Sequence, residues 1–186
     1  MQILDRARKT AFLGREFLLW LWFMSETGKG IFDLGEKGKA EIWLDGKITL
    51  QSETDRGVET VTCTGEDLTM KEARFALAEK KDIREATVKL ALGDNEWSFV
   101  LDSVWMNFRS FKTPRVMNDA KEDPDGLFYE KAFLIEEAVS AVDQIYSAFL
   151  KRRLSPEWQS QDRAAVGRWI REGRTGSAKH GQETDL

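Results

Sequence analysis

The stretch EATVKLALGDNEWSFVL, residues 85–101, decides the fold class. Ala86, Val88, Leu90 and Leu92 alternate with Thr87 and Lys89. After Gly93-Asp94-Asn95 the alternation resumes, with Trp97, Phe99 and Leu101 set against Glu96 and Ser98. A period of two on both sides of a turn cluster is the pattern of an antiparallel hairpin with one face covered and the other wet. Such a hairpin needs an apolar cover, and the sequence supplies helices for it on both sides.

Upstream, Ala40, Ile42 and Leu44 fall on one face and Ile48 and Leu50 follow Asp45-Gly46, which predicts a second hairpin turning at Asp45-Gly46. Val58 to Cys63, rich in Val and Thr, predicts a third strand, and Thr69 to Glu72 reads as a capping box opening a short helix with Ala73, Ala76 and Leu77 on one side. Residues 2–25 lack proline and predict a long first helix. From Phe17 onward its apolar residues go all the way round, so that half should be buried on more than one side. The glycines between 28 and 38 end in no Gly-Lys-Ser/Thr and lead into a strand, so they are a linker rather than a phosphate loop.

Downstream, Val104 to Phe111 predicts an extension of the sheet, and Lys112 to Glu122, with Pro114, predicts a loop. Asp123-Pro124-Asp125-Gly126 opens a long helix. Phe128, Ala132, Ile135, Val139, Val142, Tyr146 and Phe149 step along that helix by four and three, and a second row of Leu134, Ala138, Ala141, Ile145 and Ala148 widens the stripe. Ser155-Pro156 starts another helix, expected to bury Trp158, Ala165, Val166 and Trp169. The architecture predicted is α+β: an N-terminal helix, a small antiparallel sheet with an inserted short helix, and two C-terminal helices. It forms one domain over residues 1–172, followed by a flexible polar tail over 173–186.

With 186 residues, 41% hydrophobic and 32% charged, the chain supports one core and excludes a disordered or collagen-like polymer. The single Cys63 forms no internal disulfide, and the single His180 lies in the polar tail, which excludes a Cys/His zinc site and argues against a histidine-based triad. The longest apolar run, Phe17 to Met24, is eight residues. A membrane span needs roughly 18. No small-residue cleavage site follows that run, so no membrane association and a cytoplasmic location are expected.

The acidic residues offer little chemistry. Asp123, Asp125 and Glu130 lack the rest of a calcium loop and fit helix capping. Glu136 and Glu137, as helix neighbours about 100° apart, cannot share a substrate and fit a solvated face. Asp143, beside Val142 in the apolar stripe, is expected to need a buried partner or to form a structural ion pair. Of the seven tryptophans, Trp43 and Trp105 fall opposite the main apolar set. No enzymatic activity, metal or cofactor is expected.

Charge counted by segment is more informative than the net of −4. Residues 103–121 carry Arg109, Lys112, Arg115 and Lys121 against Asp119, a net of +3. Residues 122–143 net −6, and residues 151–174, with Lys151, Arg152, Arg153, Arg163, Arg168, Arg171 and Arg174, net +4. A solvated basic face explains such segregation. So does phosphate binding, because local potential governs encounter within a Debye length of about 8–10 Å.

The order of the segments resembles the C-terminal half of the recombination-associated protein RdgC family, particularly its longer bacterial relatives. The matching stretches are FLGREFLLWL (12–21), WLDGKITL (43–50), VTCTG (61–65), EATVKL (85–90), EWSF (96–99), SFKTP (110–114), FYE (128–130) and FLKRRLSPEW (149–158), collinear over about residues 11–170. The resemblance implies a non-enzymatic protein that binds double-stranded DNA with little sequence preference and modulates homologous recombination at the nucleoid. Its contacts would run through backbone phosphates. Local charge puts Arg109, Lys112 and Arg115 first for phosphate contact and Lys151, Arg152 and Arg153 second; the resemblance supports only their location. Members of that family carry a comparable N-terminal half and close into dimeric rings. A homodimer, or a partner chain supplying that missing half, is therefore expected here, and a non-enzymatic protein-interaction subunit is the alternative function.

Overall fold

The structure is a computed structural model that describes residues 2–55, 57–65, 71–118, 121 and 123–177, with backbone alone for 2–10 and 174–177. His180 and the Thr69 of the expected capping box lie outside the described residues. Among the described residues four α-helices, α1 (Gln2–Glu26), α2 (Lys71–Ala78), α3 (Pro124–Leu154) and α4 (Arg163–Ser177), accompany six strands. The strands are β1 (Ile31–Asp33), β2 (Lys39–Thr54), β3 (Gly57–Gly65), β4 (Asp82–Leu92), β5 (Asn95–Asp102) and β6 (Phe108–Lys112). They pair antiparallel in the order β1-β2-β4-β5-β6, and β3 also pairs with β2. The chain is an α+β protein.

The β4–β5 hairpin forms as its alternation predicts, with Leu90 opposite Trp97 and Val88 opposite Phe99. The rows continue into β2, where Ile42 faces Leu90, Leu44 faces Val88 and Ile48 faces Ala86, all buried. Trp43 and Lys89 face each other on the opposite surface, where the side chains are half-exposed. Burying one large apolar side chain stabilises by about 1.5–3 kcal/mol, so these rows carry much of the folding free energy.

Asp45-Gly46 does not turn the chain. β2 runs straight through it as a 16-residue strand, and its register against β4 slips between Leu44 and Ile48. Gly46, at φ 81°, supplies the left-handed backbone for an irregularity inside the strand rather than for a hairpin. Past it, β2 takes β3 in place of β1 on the edge opposite β4.

The second half of α1 is buried all round, as expected: Phe17, Leu18, Trp20, Leu21, Trp22 and Phe23 are all core residues. Phe17 and Trp20 meet Phe149 of α3 at ring separations of 5.4 Å, and Trp22 and Phe23 meet Trp169 of α4. Further toward its N-terminus, Gly14 lets α1 close on the turn after β5, because a Cβ there would lie 1.9 Å from the Ser103 carbonyl oxygen.

Residues 103–107 form a turn rather than the start of a strand, and β6 begins at Phe108. The Asp102 carboxylate causes this by accepting the amides of Val104 (2.8 Å) and Trp105 (3.0 Å). On α3, Asp123 caps the first turn by accepting the Gly126 amide at 2.9 Å, and Pro124 follows it. The burial of this helix follows the second apolar row: Leu134, Ala138, Ala141 and Ile145 are core, with Val142 and Phe149 from the first row. Phe128, Tyr129 and Phe133 stand 65–70% exposed. Beyond Ser155-Pro156 the chain makes a π-helical turn over Trp158–Asp162 and continues as α4, passing the buried Gly173 and reaching Ser177.

Candidate nucleic-acid interface

The six cations singled out by local charge have two fates. Arg109, leaving edge strand β6, is taken by the Glu85 carboxylate, with Asp102 at 3.9 Å. Arg152 donates to Asp162 through Nε (2.5 Å) and Nη2 (3.1 Å), bracing the α3–α4 connection. Arg153 donates to Glu16 of α1 through Nε (2.6 Å) and Nη2 (3.4 Å), and its guanidinium lies 5.3 Å from the Trp158 ring centroid. These three arginines are structural ties, and Arg152 is held in its charged form first of all by its bond to Asp162.

Lys112, Arg115 and Lys151 are exposed and have no carboxylate partner among the described residues. Lys112 faces Ser98 at the β6 edge, and Arg115 follows in the next loop. Lys151 borders a groove between α3 and β1, at the other end of the strand order, so the two sets do not form one surface patch. Arg168 and Arg171 of α4 share the exposed, unpaired state of Lys112. Both entered the segment charge, but nothing in the sequence separated them from the paired arginines.

The acids are not gathered for catalysis. Asp143 is exposed rather than buried with a partner, and so is Glu136. Glu130 accepts the amides of Asn118 and Met117 and the Asn118 side chain; the Asn118 amide leads in holding its carboxyl below the usual range. Cys63 is half-buried and burial pushes its thiol up, the opposite of an activated nucleophile. Among the described residues no cluster of three or more His, Cys, Asp or Glu could hold a metal ion, and no helix is long and apolar enough to cross a membrane.

Two buried carboxylate centres escape sequence reasoning. Glu26, at the end of α1, accepts Trp22 Nε1 (2.7 Å), Trp169 Nε1 (3.0 Å) and Arg74 Nη1 (3.2 Å), while Arg74 also donates to the Trp169 carbonyl (2.6 Å) and lies over that indole. This knot ties α1, α2 and α4 together. Asp102 pairs with Arg84 at 2.5 Å while holding the turn after β5. Beyond their near neighbours in the chain, Glu26 draws Arg74 and Trp169 from α2 and α4, and Asp102 draws Arg84 from β4.

Comparison of the chain with protein-family models finds no match, and comparison with curated proteins finds none either.

Proposed function

We propose that this protein is a non-enzymatic, sequence-independent double-stranded DNA-binding protein of the RdgC kind, acting on homologous recombination at the nucleoid. The observation that carries the reading is the placement of four of the exposed cations without carboxylate partners among the described residues: Lys112 and Arg115 close together at the β6 edge, and Arg168 and Arg171 close together on α4. Cations of this kind can replace counterions on phosphates at little structural cost, whereas Arg109, Arg152 and Arg153 would first have to leave their carboxylates. The collinear resemblance to the RdgC family supports the choice of duplex DNA over another polyanion.

The test is fluorescence anisotropy on a long duplex across a salt series. Each phosphate contact contributes about 0.9 to the slope of log K against log salt, so Lys112→Ala/Arg115→Ala should flatten the slope by about 2. Arg152→Ala/Arg153→Ala should leave the slope unchanged and lower stability. No binding to a long duplex at about 50 mM salt overturns the reading.

A second reading, a protein-interaction subunit pairing with a separate chain, is favoured by the exposed aromatics Phe128, Tyr129 and Phe133. It predicts a stoichiometric partner, retained from the native host without nucleic acid and released by Phe128→Ser/Tyr129→Ser.

A further inference from the structure

A cavity of about 390 Å³ opens where α1, the end of α3 and α4 converge. That volume falls within the usual range for small-molecule sites, about 300–1,000 Å³. Its apolar wall is built from Leu19, Trp20, Trp158, Val166 and Ile170. The two indoles are otherwise core residues, 5% and 7% exposed. On α4, Gly167 contributes a wall with no side chain, and a Cβ there would meet nothing closer than Arg171 Nη1 at 3.5 Å. Small size at this position keeps the cavity open.

The polar part of the lining is asymmetric. Glu16 and Arg153 neutralise each other through their paired hydrogen bonds, and Arg153 is fixed further against Trp158. Arg163 is exposed, and its one hydrogen bond, to Gln159 Oε1, is long at 3.4 Å. The lining therefore carries one positive charge beyond the neutralised pair, beside apolar walls. The π-helical turn Trp158–Asp162 carries both Trp158 and Gln159 into the lining, and Arg152 clamps its last residue, so this wall is held in shape before any ligand arrives. π-helical turns are rare and recur at functional sites.

We propose that this cavity is a binding site for a small apolar carboxylate, its body against Trp20, Trp158 and Ile170 and its carboxylate on Arg163. The lining includes none of the cations assigned to DNA, although Arg171 stands close by with its Nη1 3.5 Å from where a Gly167 Cβ would lie, so the test below uses Arg163 and Gly167 and leaves Arg168 and Arg171 intact. A monoanion matches the single uncompensated guanidinium of the lining.

The experiment uses 2-naphthaleneacetate with the full chain, followed by tryptophan fluorescence and calorimetry. Saturable one-to-one binding is expected, with Kd between about 10 μM and 1 mM. Gly167→Leu, which fills the cavity from a helix position that favours leucine over glycine, should weaken binding at least about tenfold with the circular dichroism spectrum unchanged. Arg163→Gln, at an exposed residue, should weaken it about five- to tenfold, as should replacing the probe by neutral 2-naphthaleneethanol. Phe128→Ser/Tyr129→Ser should leave it unchanged. The proposal is overturned by absence of saturation, by binding indifferent to both Gly167→Leu and Arg163→Gln, or by binding lost in the α3 variant, which would put the probe on that helix instead.

Discussion

Glu26 and Asp102 are both carboxylates withdrawn from water and set against an arginine, yet they are pushed in opposite directions. At Glu26 burial is the largest influence and raises the carboxyl above its ordinary value; the bonds from Trp169, Arg74 and Trp22 oppose this without cancelling it. At Asp102 burial again acts most strongly and upward, but Arg84 and the amides of Trp105 and Val104 together outweigh it and hold the carboxyl low. The difference lies in the donors. Two neutral indoles can stabilise a carboxylate only modestly, while two backbone amides fixed by a turn form an oriented pair beside a close guanidinium. One centre is thus a knot that joins three helices at an electrostatic penalty, and the other is a clasp whose charge favours the fold.

The largest effect is expected from Glu26→Ala, which strands Arg74 and two indole N–H groups in the interior. Urea unfolding should show a loss of about 3–5 kcal/mol, and a loss under about 1 kcal/mol would show that the knot does not hold the helices. Gly14→Ala attacks the Asp102 clasp from the opposite side, by pushing α1 off the Ser103 carbonyl, and should cost about 1–3 kcal/mol by the same measurement. Asp102→Asn keeps an acceptor for the turn amides but loses the charge facing Arg84. About 1–2 kcal/mol is expected, with a crystal or NMR structure showing residues 103–107 in place.

The pH dependence of stability sharpens the contrast most directly. The folded-state pKa of Asp102 is lowered, so its contribution is present above the ordinary value of 3.8 and is lost as pH falls through the lower folded value. The folded-state pKa of Glu26 is raised, so its contribution is present below the ordinary value of 4.5 and is lost as pH rises through the higher folded value. Urea midpoints measured from acid to neutral pH should lose the first slope in Asp102→Asn and the second in Glu26→Gln. Exchange of the two slopes between the variants would refute the assignment.

Neither centre can be read from the sequence, whereas much of the frame can. Strict alternation at residues 86–101 fixes the central hairpin because a strand buried on one face has no other economical pattern. At Asp45-Gly46 the same local signal misleads. A glycine with left-handed backbone serves a bulge as well as a turn, and only the pairing partner decides between them. Along α3 the spacing gives the helix correctly, but which of two apolar rows is buried depends on where α1 meets it. The candidate site suffers most. Segment charge locates the cations, but Arg153 is neutralised by a carboxylate 137 residues away and Arg109 by one 24 residues away, beyond any local count. The same limit hides Glu26, whose partners other than Trp22 come from α2 and α4.

β3 hydrogen-bonds to a single neighbour, β2, and most of its residues are exposed, whereas β4 is bonded on both sides and its inner face is sealed by core residues. β3 can therefore open while β2, β4 and the core they cover stay in place. In deuterated buffer the amides of β3 should exchange through that local opening, long before those of β4, whose release requires global unfolding. Denaturant added below the unfolding midpoint should speed β4 exchange steeply and β3 exchange hardly at all.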